Sequence, residues 1–492
     1  MWGSLHILVL TDRDWSHPQG GGTGTNLYSQ VTWWLAAGHR ITIIACGYEG
    51  GPALERSGRL TIHRMGDRVS VFPRAIWKQA AQRLVPDPDV VLEIINGLTF
   101  YTPLWLRTPR IALIHHVHQQ LYAEEMGTRG RAAALAFERT PLQLLYRSTR
   151  FVTVSRSSAR EIAELGVPSD RIVVNYNGVD SDRLAPGRRS PEPMLLYVGR
   201  LKRYKRVEWL LDALAAMPAA TLHIAGHGDW RPCIEREIDG RGLGERVVLH
   251  GFVDDERKRE LLQAAWLNVT ASSVEGWCLS VMEAAACGTP SVALAVGGLP
   301  EAIVDERTGL LAHTRAGLTA EIVRVMRDRE LRERLGASAL RRARTFTWRA
   351  TADCTLEVLQ AALEESWTRP PRATGRFRRE RIAWPGSVNG NGGLPAEALR
   401  PPGDAVLAGR TTRSRVTDSG FGHKVQGVVE PVFRIAPRVG ADHPSAGSLD
   451  DLADVVLPQR SHPHRVQAEP PVQRARRQPE PDEDAVQAPP GL

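Results

Sequence analysis

Cysteine is scarce in this chain: five residues in 492, Cys46, Cys233, Cys278, Cys287 and Cys354, odd in number and without paired metal spacing. That pattern argues against a disulfide framework or a cysteine zinc site and points to a reducing setting. Long apolar runs are missing too. No stretch approaches the ~18 apolar residues of a membrane span, so any membrane contact is expected to be peripheral. The opening "MWGSLHILVL" lacks a basic leader and a small-residue cleavage site, and its apolar part is of strand length, so neither a signal peptide nor a span is expected there. The expected location is cytoplasmic, with peripheral contact at the inner face of a membrane left open. The phosphate-cradling pattern "GxxxxGK[ST]" is absent, which argues against a P-loop enzyme. A strong charge imbalance is absent as well. A formal +8 with 24% charged residues suits phosphates or an acidic membrane surface, not a dedicated nucleic-acid binder.

What is present is a long alternation of short apolar runs and helical patterns. "LHILVL" (5–10), "ITIIA" (41–45), "VVLEII" (90–95), "RIALIH" (110–115), "FVTVS" (151–155) and "RIVVN" (171–175) read as buried parallel strands. Amphipathic stretches such as 25–39 and 156–166 lie between them. The pattern restarts after a Pro/Gly/Arg-rich connector at 186–193, with strands at 194–200, 220–226, 246–251, 267–272 and 290–295. Two β/α repeats on a chain too long for one core predict an α/β protein of two facing, doubly wound, Rossmann-like domains. Ligand would sit between the carboxyl ends of their strands. The expected boundaries are 1–186 and 187–345, then a helix at 346–366 crossing back to the first domain. Composition changes at Trp367. The last 126 residues (492 − 366) hold 17 of the 33 prolines, with 18 Lys/Arg against 14 Asp/Glu and little apolar period. A tail of this kind, 367–492, is expected to be disordered.

Four constellations fall at carboxyl ends of predicted strands. "GGGTGTN" (20–26) includes Gly21 and Gly22, which let the backbone approach a ligand before a helix start. A dinucleotide fingerprint would need those glycines directly after the strand, whereas residues 11–19 intervene. "HHVHQQ" (115–120) ends a strand with His115, His116 and His118; no Asp, Glu or Cys ligand is near in sequence to support zinc. "GRLKRYKR" (199–206) carries Arg200 and Lys205, two cations able to face a diphosphate, while Lys202, Arg203 and Arg206 read as solvated surface charges. "SSVEGWCLSVMEAAACGTP" (272–290) puts Glu275 in a loop and Glu283 inside a buried helix that starts near Leu279–Ser280 and stops at Gly288. Such carboxylates suit vicinal hydroxyls, and the helix start suits a phosphate. No Asp-x-Asp metal signature falls on the cleft, because "DDE" (254–256) reads as a helix start. Neither a metal nor a cofactor is expected.

Together these pieces resemble the retaining glycosyltransferases of family 4, which have the two-domain GT-B fold. The resemblance runs over about residues 5–366 and rests on "GG" followed by "LAAGHRITIIA", "NYNGVD" (175–180), "GRLKRYK", "LHGFVDD" (249–255), the 275/283 glutamate spacing and "ACGTPSVALAVGGLPEAIVD". It implies a nucleotide diphosphate sugar as donor substrate and an unidentified acceptor hydroxyl on a sugar, lipid-linked sugar or small molecule. It makes 1–186 the acceptor-side domain and 187–345 the donor domain. Arg200 and Lys205 would bind the diphosphate, Glu283 the ribose, and Leu279 and Ser280 the phosphate at the helix start. Glu275 and His115 would lie near the transferred sugar, with Gly21 and Gly22 against the donor phosphates. Two departures flank the donor site: Arg206 and Cys278 stand where the family commonly has glycine. A nucleotide-sugar epimerase or phosphorylase on the same scaffold, or a non-catalytic nucleotide-sugar binder, are the rival readings.

The tail reading is directly testable. A chain ending at Ser366 should match the full chain in melting temperature and in activity on a soluble acceptor. A melting temperature several degrees lower would refute disorder. Loss confined to a membrane-bound acceptor would assign Arg376, Arg378, Arg379 and Arg381 to anionic lipid, each worth roughly 1 kcal/mol near such a surface.

Overall fold

The computed structural model describes residues 3–368, so the tail beyond Thr368 lies outside the described residues. The first lobe is built on β1 (His6–Leu10), β2 (Arg40–Ala45), β3 (Leu54–Ser57), β4 (Leu60–Arg64), β5 (Val90–Ile94), β6 (Arg110–Ile114), β7 (Arg150–Thr153) and β8 (Ile172–Val174). They form one sheet in the order β3-β4-β2-β1-β5-β6-β7-β8. Every pairing is parallel except β3 with β4. The second lobe has β9 (Met194–Val198), β10 (Thr221–Ala225), β11 (Val247–Gly251), β12 (Leu267–Thr270), β13 (Ser291–Leu294) and β14 (Gly309–Ala312) in the all-parallel order β11-β10-β9-β12-β13-β14. This is the doubly wound α/β architecture that the alternation implied. Parallel strands covered on both faces explain the unbroken apolar runs: Leu8, Val9, Ile43, Leu195 and Val292 are fully buried. Each such side chain contributes about 1.5–3 kcal/mol.

Six of the helices carry the site or join the lobes: α1 (Gly21–Ala36), α2 (Arg156–Glu164), α3 (Asp255–Ala264), α4 (Leu279–Ala286), α5 (Leu299–Ala302) and α6 (Trp348–Thr368). The expected first helix, 25–39, instead begins at Gly21. Its glycines form the opening turn because loop 14–17 packs directly on it; a methyl group at position 24 would come within 3.0 Å of Trp15 Cα. Gly38, at φ +89°, ends the helix before the expected limit. Three strands escaped the sequence reading. β3 and β4 are short, partly polar strands at the sheet edge, and β14 is a four-residue strand opening on glycine.

The lobes are joined at two places. Arg189, in the first connector, is locked to the second lobe by bonds to the carbonyls of Gln263 (3.0 Å), Ala265 (2.7 Å), Cys287 (3.2 Å) and Gly288 (2.6 Å). The second crossing leads into α6, which packs on the first lobe. Ala352, Leu359 and Leu363 join the core of β1, β2 and β5, and Trp34 Nε1 donates to Ala352 O at 3.0 Å. Arg171 reaches Glu365 at 3.0 Å near the helix end. Among the described residues, no helix is long and apolar enough to cross a membrane.

Across the cleft the lobes touch backbone to backbone. A methyl group at Gly276 would overlap the carbonyl oxygen of His115, and Val154 of the first lobe is buried in the core of the second. Gly276→Ala should therefore lengthen the distance between spin labels placed one on each lobe while leaving cooperative melting in place. An unchanged label distance would show that the contact yields without moving the lobes.

Candidate active site

In each sheet the strand order reverses direction at one point, between β1 and β5 in the first lobe and between β9 and β12 in the second. Loops leaving such a switch point diverge and open a crevice. A cavity of about 390 Å³ lies there, lined by Gly21, Gly22 and His115 from the first lobe. The second lobe contributes Arg200 and Lys205 after β9, Glu275 after β12, and Leu279, Ser280 and Glu283 of α4. The residues that the family resemblance assigns to the site thus line one space. The glycines face the second lobe directly: methyl groups at Gly21 and Gly22 would fall 3.9 Å from Arg200 Nε and 3.4 Å from Leu279 Cδ1.

Neither glutamate is free. Glu275 Oε1 accepts from Lys205 Nζ at 2.5 Å and from Ser272 Oγ at 2.8 Å, and the side chains of the ion pair are only 11% and 14% exposed. Burial alone would push the Lys205 ammonium down, but the Glu275 carboxylate outweighs it and holds Lys205 above the ordinary lysine range. Glu283 Oε1 accepts from Lys258 Nζ at 2.9 Å, and Lys258 also lies 3.2 Å from Asp255. Burial depresses Lys258 as well, and Glu283 with Asp255 turns the net shift upward. Sequence reasoning missed Lys258. It stopped at "DDE", where Asp254 caps α3 by accepting from Arg257 N at 2.7 Å. The signal was the lysine one helical turn beyond that cap.

Arg200 donates to Tyr204 OH at 3.3 Å. The neighbouring basics are not simply solvated. Lys202 pairs with Asp229 at 2.6 Å, while the guanidinium groups of Arg203 and Arg206 lie over Trp230 (5.9 Å) and Trp209 (4.6 Å). Arg206 and Cys278 both have positive φ, +50° and +75°. Glycine takes such conformations without strain, which is the physical reason for it at those two positions. Burial, with the nearby Glu275 charge, pushes the Cys278 thiol up to about 12, so it is no nucleophile at neutral pH.

The histidines separate by position. His115 and His116 line the cavity; His118 does not, and its backbone N–H donates to Glu138 at 2.9 Å. Both ring nitrogens of His115 are buried without a protein partner. Burial, aided by His118, pushes its pKa down to about 4, so the ring at the cavity wall is neutral near pH 7, with one donor and one acceptor nitrogen. Among the described residues, no group of three or more His, Cys, Asp or Glu is placed to hold a metal ion. The loop carrying Trp15, His17 and Gln19 also lines the cavity, as do His227 and Phe252. No motif marked Trp15, His17, Gln19 or His227 in sequence, whereas Phe252 lies within "LHGFVDD". The arrangement presents cations and an uncapped helix start to an anion, and carboxylates and a neutral imidazole to hydroxyl groups.

Two family descriptions match the chain, "Glycosyltransferase Family 4" over residues 20–183 and "Glycosyl transferases group 1" over residues 179–342. An uncharacterized glycosyltransferase of Methanocaldococcus jannaschii is 26% identical over 392 residues, covering 73% of this chain and 99% of that protein. The glycogen synthase of Mycobacterium tuberculosis is 31% identical over 350 residues, covering 68% of this chain and 76% of that protein. Anabaena HepE, solved in complex with UDP and glucose, aligns with a TM-score of 0.58 at 17% identity over 73% of this chain and 100% of its own, a likeness of fold alone. With one description on each lobe and a relative of 31% identity spanned over 76% of its length, the chain belongs to the family 4, group 1 glycosyltransferases, enzymes of the GT-B fold.

Proposed function

We propose that this glycosyltransferase moves a sugar from a nucleoside diphosphate sugar to an acceptor hydroxyl, retaining the anomeric configuration and using no metal ion, in glycan or glycoconjugate synthesis. The observation that carries this reading is the pair of lysine–glutamate contacts flanking the start of α4, with Arg200 beside them. Arg200, Lys205 and the free N–H groups at Leu279–Ser280 hold the diphosphate, and Gly21 and Gly22 let the first lobe close on it. Glu283 accepts from the ribose hydroxyls, and Glu275 and His115 contact the transferred sugar. As the bond from the anomeric carbon to the diphosphate oxygen breaks, its electron pair stays on the phosphate. The cations and helix dipole stabilise that charge. The acceptor oxygen attacks from the same face, and its proton passes to the departing phosphate. That HepE was solved with UDP and glucose supports a nucleotide-sugar donor on this fold.

Lys205→Ala should lower turnover at least ~100-fold, the scale of one lost transition-state donor. The same change strands Glu275 without its cation, so some stability is lost with it. The double variant Lys205→Ala/Glu275→Gln should regain melting temperature but not turnover, whereas recovery of turnover in that variant would remove Lys205 from the diphosphate. Activity should survive EDTA; loss that magnesium or manganese restores would overturn the metal-free step.

Calorimetry separates the two glutamates. Glu283→Ala should weaken both nucleotide and nucleotide sugar, which share the ribose, and Glu275→Ala should weaken the nucleotide sugar more than the nucleotide. The reverse pattern would mean that the assignments are exchanged.

A further inference from the structure

The first turn of α2, in the first lobe, is completed by the second lobe. Ser155 caps the helix in the ordinary way, its Oγ accepting from Ser158 N at 3.0 Å. The two earlier donors go elsewhere. Arg156 N and Ser157 N donate to Glu301 Oε2 and Oε1, each at 2.8 Å, and Tyr176 OH donates to Oε2 at 2.9 Å. Glu301 lies on α5, and its own carbonyl is held by Arg342 at 2.5 Å. A carboxylate from one lobe therefore occupies both orphan amides at the positive end of a helix in the other.

Each end of this contact leads to a residue of the site. On the first-lobe side, Ser158 Oγ donates to the carbonyl of His115 at 3.0 Å. On the second-lobe side, Gly298 N, one residue ahead of α5, donates to the carbonyl of Glu275 at 2.8 Å. Gly298 also sits so close to Gly276 O that a side chain there would overlap it. The chain of contacts runs from His115 through α2, Glu301 and α5 to Glu275, without entering the cavity. Glu301 does not line that cavity, and the mechanism above does not use it.

We infer that Glu301 is a positioning residue that latches the lobes and holds His115 and Glu275 at their separation across the cleft. The consequence for catalysis rests on the roles proposed above for those two residues; the latch itself does not. Misplacing groups around a reacting centre by about 1 Å can cost ~100-fold, so a loosened latch should be felt in turnover before it is felt in donor affinity.

Three variants of the full chain test this. Glu301→Gln removes the charge and leaves one oxygen for two amides. Arg156→Pro deletes one of those amides, and it does so at the first helical position, where proline is accommodated; Ser155 before it is already extended at φ −158° and ψ 161°. Arg156→Ala keeps the amide and removes only the exposed side chain. Distances between spin labels on the two lobes are measured without substrate, and kcat and donor KM on the best nucleotide sugar.

Glu301→Gln should lengthen or broaden the label distance and lower kcat about 10-fold, with donor KM within about 2-fold. Arg156→Pro should move both readings the same way by less, and add little to Glu301→Gln when combined. Arg156→Ala should change neither. Unchanged distances in Glu301→Gln and Arg156→Pro would overturn the latch; a longer distance with unchanged kcat would overturn the positioning role. If no nucleotide sugar binds at all, the donor reading fails, while the label distances still decide the latch.

Discussion

Buried charge is the constraint on which this cleft depends. A lysine or carboxylate removed from water needs an opposite charge close by, and breaking such a pair on one side costs about 3–5 kcal/mol. The second lobe meets this with Lys205 on Glu275 and Lys258 on Glu283, each pair joining segments that follow different strands. The pairs hold the loops after β9, β11 and β12 in register around the start of α4. They also mean that any ligand of this cavity meets charges that already have partners and are held in place, so binding needs less ordering than free side chains would.

The topology decides where these charges gather. Both sheets reverse strand order once, and the segments that follow β1, β6, β9, β11 and β12 supply the residues of the site. The lobes meet over the cleft because glycines are present where bulk would keep them apart. Gly276 lies on the carbonyl of His115, and Gly22 lies near Leu279. A bare backbone contact of this kind leaves no side chain to rearrange, so main-chain geometry sets how near the lobes can come.

Much of this was legible in the sequence, and for identifiable reasons. Strands buried on both faces, such as "ITIIA" and "VVLEII", are apolar runs broken only by Thr42 and Glu93, and neither needs tertiary context to be seen. Glu275 and Glu283 stood out because a run of small and apolar residues has no structural use for a carboxylate. Arg206 and Cys278 were visible as departures from glycine, and positive φ at both gives the physical meaning of that departure. What escaped depends on the third dimension. β3 is a polar edge strand whose partner alone defines it. Lys258 is one basic residue in "DERKRE" until β11 and α3 carry it to Glu283. The pairing of Glu301 with α2 spans about 145 residues of chain and leaves no local trace.

The two crossings between the lobes are themselves bonded together. Val179 N donates to Phe346 O at 3.0 Å, and a methyl group at Gly178 would overlap the backbone of Thr347 and Trp348. Tyr176, Trp277 and Phe346 pack around this spot in tilted and edge-on pairs, with ring centroids 4.7–5.8 Å apart. Two widely separated crossings would act like the two hinges of a door and permit a swing about a single line. Crossings fused at one place act as a fulcrum. Opening then scales with lever arm: groups beside the fulcrum keep nearly the same surroundings in every state, and those farthest from it sweep through the largest arc. A GT-B enzyme built this way can keep its aromatic joint constant while the far lip of the cleft does the admitting and releasing.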